Sequence, residues 1–172
     1  MENEVLPLPV DAALEKFKAS LLDINTNVPP PSVICYLKEF DGHNVDHIRI
    51  MTRQNISVIQ GKAKTGKTFF ISLLLPAIME QREHMEKFVG NKEVLDLCPS
   101  IIMEDTEQGV YDSYWTMRRI VDQCAVKDNL HYSHTKKYTP TERIEILEAA
   151  LKHGDGNFGL LVIDGMADRT VS

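Results

Sequence analysis

Cysteine is scarce in this chain, and the few present are scattered. Cys35, Cys98 and Cys124 stand far apart with no C-x-x-C spacing, so neither a zinc site nor a disulfide framework is signalled, and a reducing cytoplasm fits. Basic residues do not dominate: 19 Lys and Arg face 25 Asp and Glu, for a formal charge of −6. That balance argues against binding nucleic acid through overall basicity and leaves any such partner to a local groove. Hydrophobic runs are short. None approaches the ~18 residues a membrane span needs, and the opening MENEVLPLPVDAALEKF lacks the basic and apolar regions of a signal peptide. A cytoplasmic protein with no membrane partner is expected. Internal repeats and low-complexity tracts are also lacking.

What is present is an ordinary globular composition. The 172 residues are 43% hydrophobic and 26% charged, which predicts a real core. Asp11 to Leu22 places Ala13, Leu14, Phe17, Leu21 and Leu22 at helical spacing, with Asp11 suited to the N-cap. Pro29 to Pro31 then impose an extended connector. Residues 1–49 therefore read as a lead-in of helix plus proline-rich connector, and residues 50–172 as the main domain.

From Asn55 onward, apolar runs alternate with helical stretches. The run ISVI precedes a loop of glycines and lysines, and the stretch from Lys67 to Phe88 follows as a helix that Pro76 should kink or end. Next come SIIM, the helical YDSYWTMRRIVDQC, the short LHYSH, a further helix, and GLLVID. Thr139, Pro140 and Glu142 mark the start of that further helix through a capping box. The alternation predicts an α/β fold with a mostly parallel sheet flanked by helices.

Between ISVI and the next helix lie Gly61, Lys62, Ala63, Lys64, Thr65, Gly66, Lys67 and Thr68. They match G-x-x-x-x-G-K-[ST] in a strand-to-helix context, which separates a phosphate loop from an accidental match. The glycines let backbone N–H groups curl toward phosphate oxygens, and the helix adds its positive end. Lys67 would reach the β- and γ-phosphates of ATP, and the Thr68 hydroxyl would ligate Mg²⁺. Such a loop needs a carboxylate for its metal at the end of a neighbouring strand. Asp164, after the apolar LLVI, would emerge at the carboxyl edge of a buried parallel strand.

The run SIIM also ends in acids. Glu104, Asp105 and Glu107 cannot all ligate a metal without like-charge crowding, so one is available to orient an attacking water. The residues alone leave open which one.

Taken together, GKAKTGKT, IIMEDTEQ, YTPTER and LLVIDG resemble the RecA-like ATPases, and more narrowly the group related to plasmid replicative helicases and to ATPases of mobilisable, Bacteroides-type transposons. The resemblance covers Ile48 to the end. It implies that Glu107 activates water, that Lys67 and Thr68 serve the phosphates and metal, that Asp164 is the second-strand acid, and that Glu104 and Asp105 either support the site residues or are structural. It also implies action on DNA in replication or mobilisation of a mobile element. RecA-like cores continue past the Asp164 strand, and their next strand lies between the phosphate-loop strand and the Asp164 strand. This sequence stops at Ser172. The core is therefore expected to be incomplete at its C-terminus, the chain to bind nucleotide weakly, hydrolyse it poorly and self-associate. A small-molecule kinase and a non-hydrolysing, nucleotide-dependent interaction module are the competing expectations.

Two further clusters read as structural. His131 and His134 lack a third ligand at metal spacing. Tyr111, Tyr114 and Trp115, near Arg118 and Arg119, could stack single strands, but with Met117, Ile120 and Val121 they read as the core-facing stripe of a helix.

Overall fold

The computed structural model describes residues 10–62, 65–92, 100–153 and 158–165. The chain divides into two compact units, Met1–Pro30 and Pro31–Ser172. The first holds α1, Val10–Ser20, none of whose residues is buried. Asp11 falls in its first turn and Lys18 in its last, where each charge suits the helix dipole. The three prolines that follow carry neither helix nor strand.

The second unit opens with a hairpin that the sequence reading assigned to the lead-in. Strands β1 (Val33–Phe40) and β2 (Val45–Thr52) pair antiparallel. Their turn carries Gly42 at φ +93°. The Asp41 carboxylate accepts N–H bonds from His43 (2.9 Å) and Asn44 (2.7 Å), and these hold its carboxyl below the usual range, the Asn44 bond most strongly. Thus the expected boundary at 49/50 falls inside β2, and the division lies at Pro30/Pro31.

After α2 (Lys67–Glu80), the short strands β3 (Glu83–His84) and β4 (Phe88–Gly90) complete a four-stranded sheet of order β2-β1-β4-β3. Its pairings are all antiparallel. The parallel part is a second sheet of three strands, β5 (Ser100–Asp105), β6 (Leu130–His134) and β7 (Phe158–Asp164), in the order β6-β5-β7. Helices α3 (Val110–Val121) and α4 (Pro140–His153) are the crossovers. The fold is α/β, with a parallel three-stranded sheet flanked by helices, and the mostly parallel expectation is corrected by the antiparallel sheet beside it.

Three local expectations also need correction. First, Ile56 to Ile59 form no strand, and Ile56 and Val58 are 93% and 80% exposed. An apolar run becomes a strand only where its backbone pairs with an edge, and these residues pair with neither outer strand of the order β6-β5-β7. Second, the helix from Lys67 stops at Glu80, because Gln81 turns left-handed (φ 52°) and its N–H caps Ala77 and Ile78 carbonyls. Pro76 does not end it. The carbonyl of Ser72, deprived of an N–H by Pro76, instead accepts from Gln123 Nε2 at 3.3 Å. Third, α3 turns its aromatic residues outward: Tyr111, Tyr114 and Trp115 are 73%, 49% and 49% exposed, while Ser113, Thr116, Ile120 and Val121 are buried. The inward face needs hydroxyl donors for a buried acid at the end of β5, and Ser113 supplies one.

The core gathers α2 against both sheets. Leu74, Leu75 and Ile78 pack with Ile34 and Cys35 of β1, Phe88 of β4, Ile101 and Met103 of β5, and Ile120 of α3. Burial pushes the Cys35 and Cys124 thiols up to about 11. At the start of α4 the capping box forms: Glu142 N donates to Thr139 Oγ1 (3.3 Å) and Thr139 N donates to Glu142 Oε2 (2.8 Å). Among the described residues no helix is long and apolar enough to cross a membrane.

Gly90 sits where α2 and β4 touch most closely, and a Cβ there would overlap the carbonyl of Ala77. Gly90→Ala should cost about 2 kcal/mol or more, read as a lower urea midpoint at unchanged slope. A stability equal to the parent's would show that α2 can retreat freely.

Candidate functional site

β5 and β7 run parallel with Asp105 opposite Asp164, so their carboxyl ends reach the same edge of the sheet. Just past that edge Thr106 joins the two strands. Its N–H donates to Asp164 O (3.1 Å), and its hydroxyl donates to the carbonyls of Asp164 and Gly165. The buried Asp164 carboxylate accepts a 2.5 Å hydrogen bond from Thr68 Oγ1. Two residues singled out 96 positions apart therefore meet side chain to side chain.

The loop leading to Thr68 is held by its own atoms. Gly66, at φ +87°, starts α2 without any side-chain cap, and no acid lies in the first helical turn. The N-terminal end of this 14-residue helix thus keeps its positive character beside Lys67. Lys67 Nζ donates to Gly61 O (3.0 Å) and Lys62 O (3.2 Å), and Thr65 Oγ1 donates to Lys62 O (2.7 Å). A Cβ on Gly61 would stand 2.6 Å from Thr65 Oγ1, so a side chain there would displace that hydroxyl. Ala63 and Lys64 lie outside the described residues.

The three acids after β5 separate by environment. Asp105 is fully buried and collects four donors: the N–H groups of Glu107 (3.1 Å) and Gln108 (3.0 Å), Ser113 Oγ (2.8 Å) and the Tyr132 hydroxyl (3.0 Å). Burial, followed by the nearby Asp105 charge, pushes the Tyr132 phenol well above its ordinary value, so it stays a donor. Glu104 is also buried and accepts from Thr135 Oγ1 at 2.6 Å. Only Glu107 is exposed. Its side chain lies against Gly165, directly after Asp164, and a Cβ on that glycine would overlap it.

Several supporting residues carry no local sequence signal. Thr106 and Tyr132 carry hydroxyls whose partners are distant in sequence and are brought together by the register of β5 with β7 and β6, while Ser113 reaches Asp105 from the helix that follows β5. Gln108 is another: its Oε1 accepts from Thr116 Oγ1 at 3.3 Å, while its Nε2 is buried without a hydrogen-bond partner. The histidines are structural. His134 Nε2 lies 3.0 Å from Gln108 O, and His131 meets Phe158 edge-on at 5.1 Å.

Among the described residues no group of three or more His, Cys, Asp or Glu side chains is arranged to hold a metal. What the site offers a cation is the hard oxygen pair Thr68 Oγ1 and Asp164 Oδ2, which fits Mg²⁺ completed by water and phosphate oxygens. In comparisons with known proteins, no family model, no curated protein and no solved structure matches this chain.

Asp105 ties β5, the turn after it, α3 and β6 to one carboxylate. Asp105→Ala would strand its donors in the interior and should cost about 3 kcal/mol or more in chemical denaturation. A loss below about 1 kcal/mol would mean that water replaces the carboxylate.

Proposed function

We propose that this chain binds ATP with Mg²⁺ at Gly61 to Thr68 and hydrolyses it, as a RecA-like protein acting on DNA in replication or mobilisation of a mobile genetic element. The observation that carries the nucleotide reading is the meeting of Thr68 with Asp164, with exposed Glu107 lying along the next residue. A glycine-lysine loop on a helix start, an acid at a parallel strand end and a free glutamate beside them supply the three roles that phosphoryl transfer to water requires. The DNA part of the reading rests on the resemblance carried by GKAKTGKT, DTEQ and LLVIDG.

In this reading Lys67 leaves the carbonyls of Gly61 and Lys62 for the β- and γ-phosphates, and the first N–H groups of α2 hold the same oxygens. Thr68 and Asp164 would hold Mg²⁺, which would supply charge neutralisation to the phosphates. Glu107 orients a water and takes its proton as the oxygen attacks the γ-phosphorus. The bond to the β-bridging oxygen breaks, releasing ADP and phosphate. Asp105 and Glu104 stay out of this step because both are buried, with the two Asp105 oxygens and Glu104 Oε1 engaged by donors. The self-bonded loop favours slow turnover, since Lys67 must exchange its carbonyl acceptors before it serves the nucleotide, whereas Thr68 can donate to Asp164 and still offer its oxygen.

Two substitutions separate binding from chemistry. Lys67→Ala should weaken Mg²⁺–ATP binding at least tenfold by calorimetry, and binding as tight as the parent's would refute the loop assignment. Glu107→Gln keeps shape and removes the base. It should leave nucleotide affinity nearly intact and slow single-turnover hydrolysis by about two orders of magnitude. Unchanged turnover would transfer the role to another group.

A further inference from the structure

The outward face of α3 is unusual for a surface helix. Tyr111, Tyr114 and Trp115 touch one another edge-to-face, with ring centroids 6.2 Å (Tyr111–Trp115) and 5.6 Å (Tyr114–Trp115) apart. Phe69, 54% exposed, extends the patch, and Arg119 lies over its ring at 5.5 Å. Three half-exposed or more exposed rings on one face mark a contact surface, because aromatic side chains and arginine dominate interface cores.

We propose that this face pairs with the same face of a second copy of the chain, the two α3 helices running antiparallel about a twofold axis near Trp115. The charges select that occupant. Asp112 is in the first turn of α3 and Arg119 in the last, and neither has an ion-pair partner among the described residues. Seven residues of α-helix amount to almost two turns, so both side chains lie on the same flank of the helix, about 10 Å apart along the axis. Trp115 stands between them, three residues after Asp112 and four before Arg119. An antiparallel twofold keeps each flank on its own side and reverses the axis. It therefore sets Asp112 of each copy against Arg119 of the other, and Trp115 near Trp115. Arg118 is already neutralised by Asp122 at 2.8 Å. A single-stranded nucleic acid would also stack on these rings. Its phosphates, however, would meet Asp112 and Asp122 as well as the two arginines, on a chain whose formal charge is −6. Self-pairing satisfies both signs.

Four rings, three about half exposed and Tyr111 more so, offer on the order of 400 Å² per copy, roughly half of one side of a standard interface. The dimer should accordingly form at tens of micromolar. This inference does not depend on the nucleotide reading and is tested without nucleotide.

Sedimentation velocity on the full chain, from about 5 to 200 µM, should show a monomer passing to a dimer. The emission of Trp115, the single tryptophan, should shift to shorter wavelength over the same range. Arg119→Asp or Asp112→Arg alone should weaken dimerisation at least tenfold, with circular dichroism unchanged. The double reversal, Asp112→Arg with Arg119→Asp, should restore it, since the swapped charges meet again across the axis. Both reversals oppose the dipole of α3, so rescue cannot come from a more stable helix. A monomer throughout the range, or association indifferent to the single reversals, overturns the proposal. So does an oligothymidylate that binds the monomer and quenches Trp115, which would assign the face to nucleic acid.

Discussion

A carboxylate removed from water must be met by donors, and the way Asp105 meets this requirement arranges everything around the candidate site. Its four donors come from the turn after β5, from α3 and from β6. Satisfying them fixes the turn that carries Glu107, brings the hydroxyl face of α3 inward and sets the depth of Tyr132. The next residue, Thr106, then binds β7 at Asp164 and Gly165. Asp164 in turn receives Thr68. One buried charge is thus the first link in a chain of hydrogen bonds that ends at the start of α2.

The same requirement separates the acids of SIIMEDTEQ by role. Three carboxylates within four positions look equivalent as letters, yet the strand pleat and the sheet edge give them different surroundings. Glu104 and Asp105 fall inside β5 and are engaged with buried donors, whereas Glu107 lies beyond the strand and keeps its oxygens for solvent or a ligand. In the proposed hydrolysis a base must be able to accept a proton from water, and of the three acids the exposed third position is the one proposed for it.

Much of this was legible in the sequence where local chemistry decides structure. Apolar runs ending in acids marked β5 and β7, and Thr139 with Glu142 marked the start of α4, because periodicity and capping are encoded by near neighbours. Legibility failed where distant partners decide. Ile56 to Ile59 have the composition of a strand but pair with neither sheet. Pro76 is tolerated inside α2 because Gln123, 51 positions from Ser72, supplies the missing donor to its carbonyl. The aromatic residues of α3 read as core only until the buried Asp105 claims that helix's other face for Ser113. The hairpin of β1 and β2 was hidden because its strands mix charged with apolar residues along an antiparallel sheet.

Helix α2 is buried along almost its whole length from Ile71 onward, and the loop before it is exposed. The two sides of the candidate site therefore differ in stiffness. One wall joins the first turn of α2 to the ends of β5 and β7 through the Thr68–Asp164 hydrogen bond and runs directly into the packed part of α2 that begins at Ile71. The opposite wall, at Gly61, Lys62 and Thr65, is held by a few hydrogen bonds among its own atoms. Whatever enters meets an anvil on one side and a hinge on the other. Adjustment to its shape falls to the loop, while the spacing between Thr68 and Asp164 is set by the body of the protein.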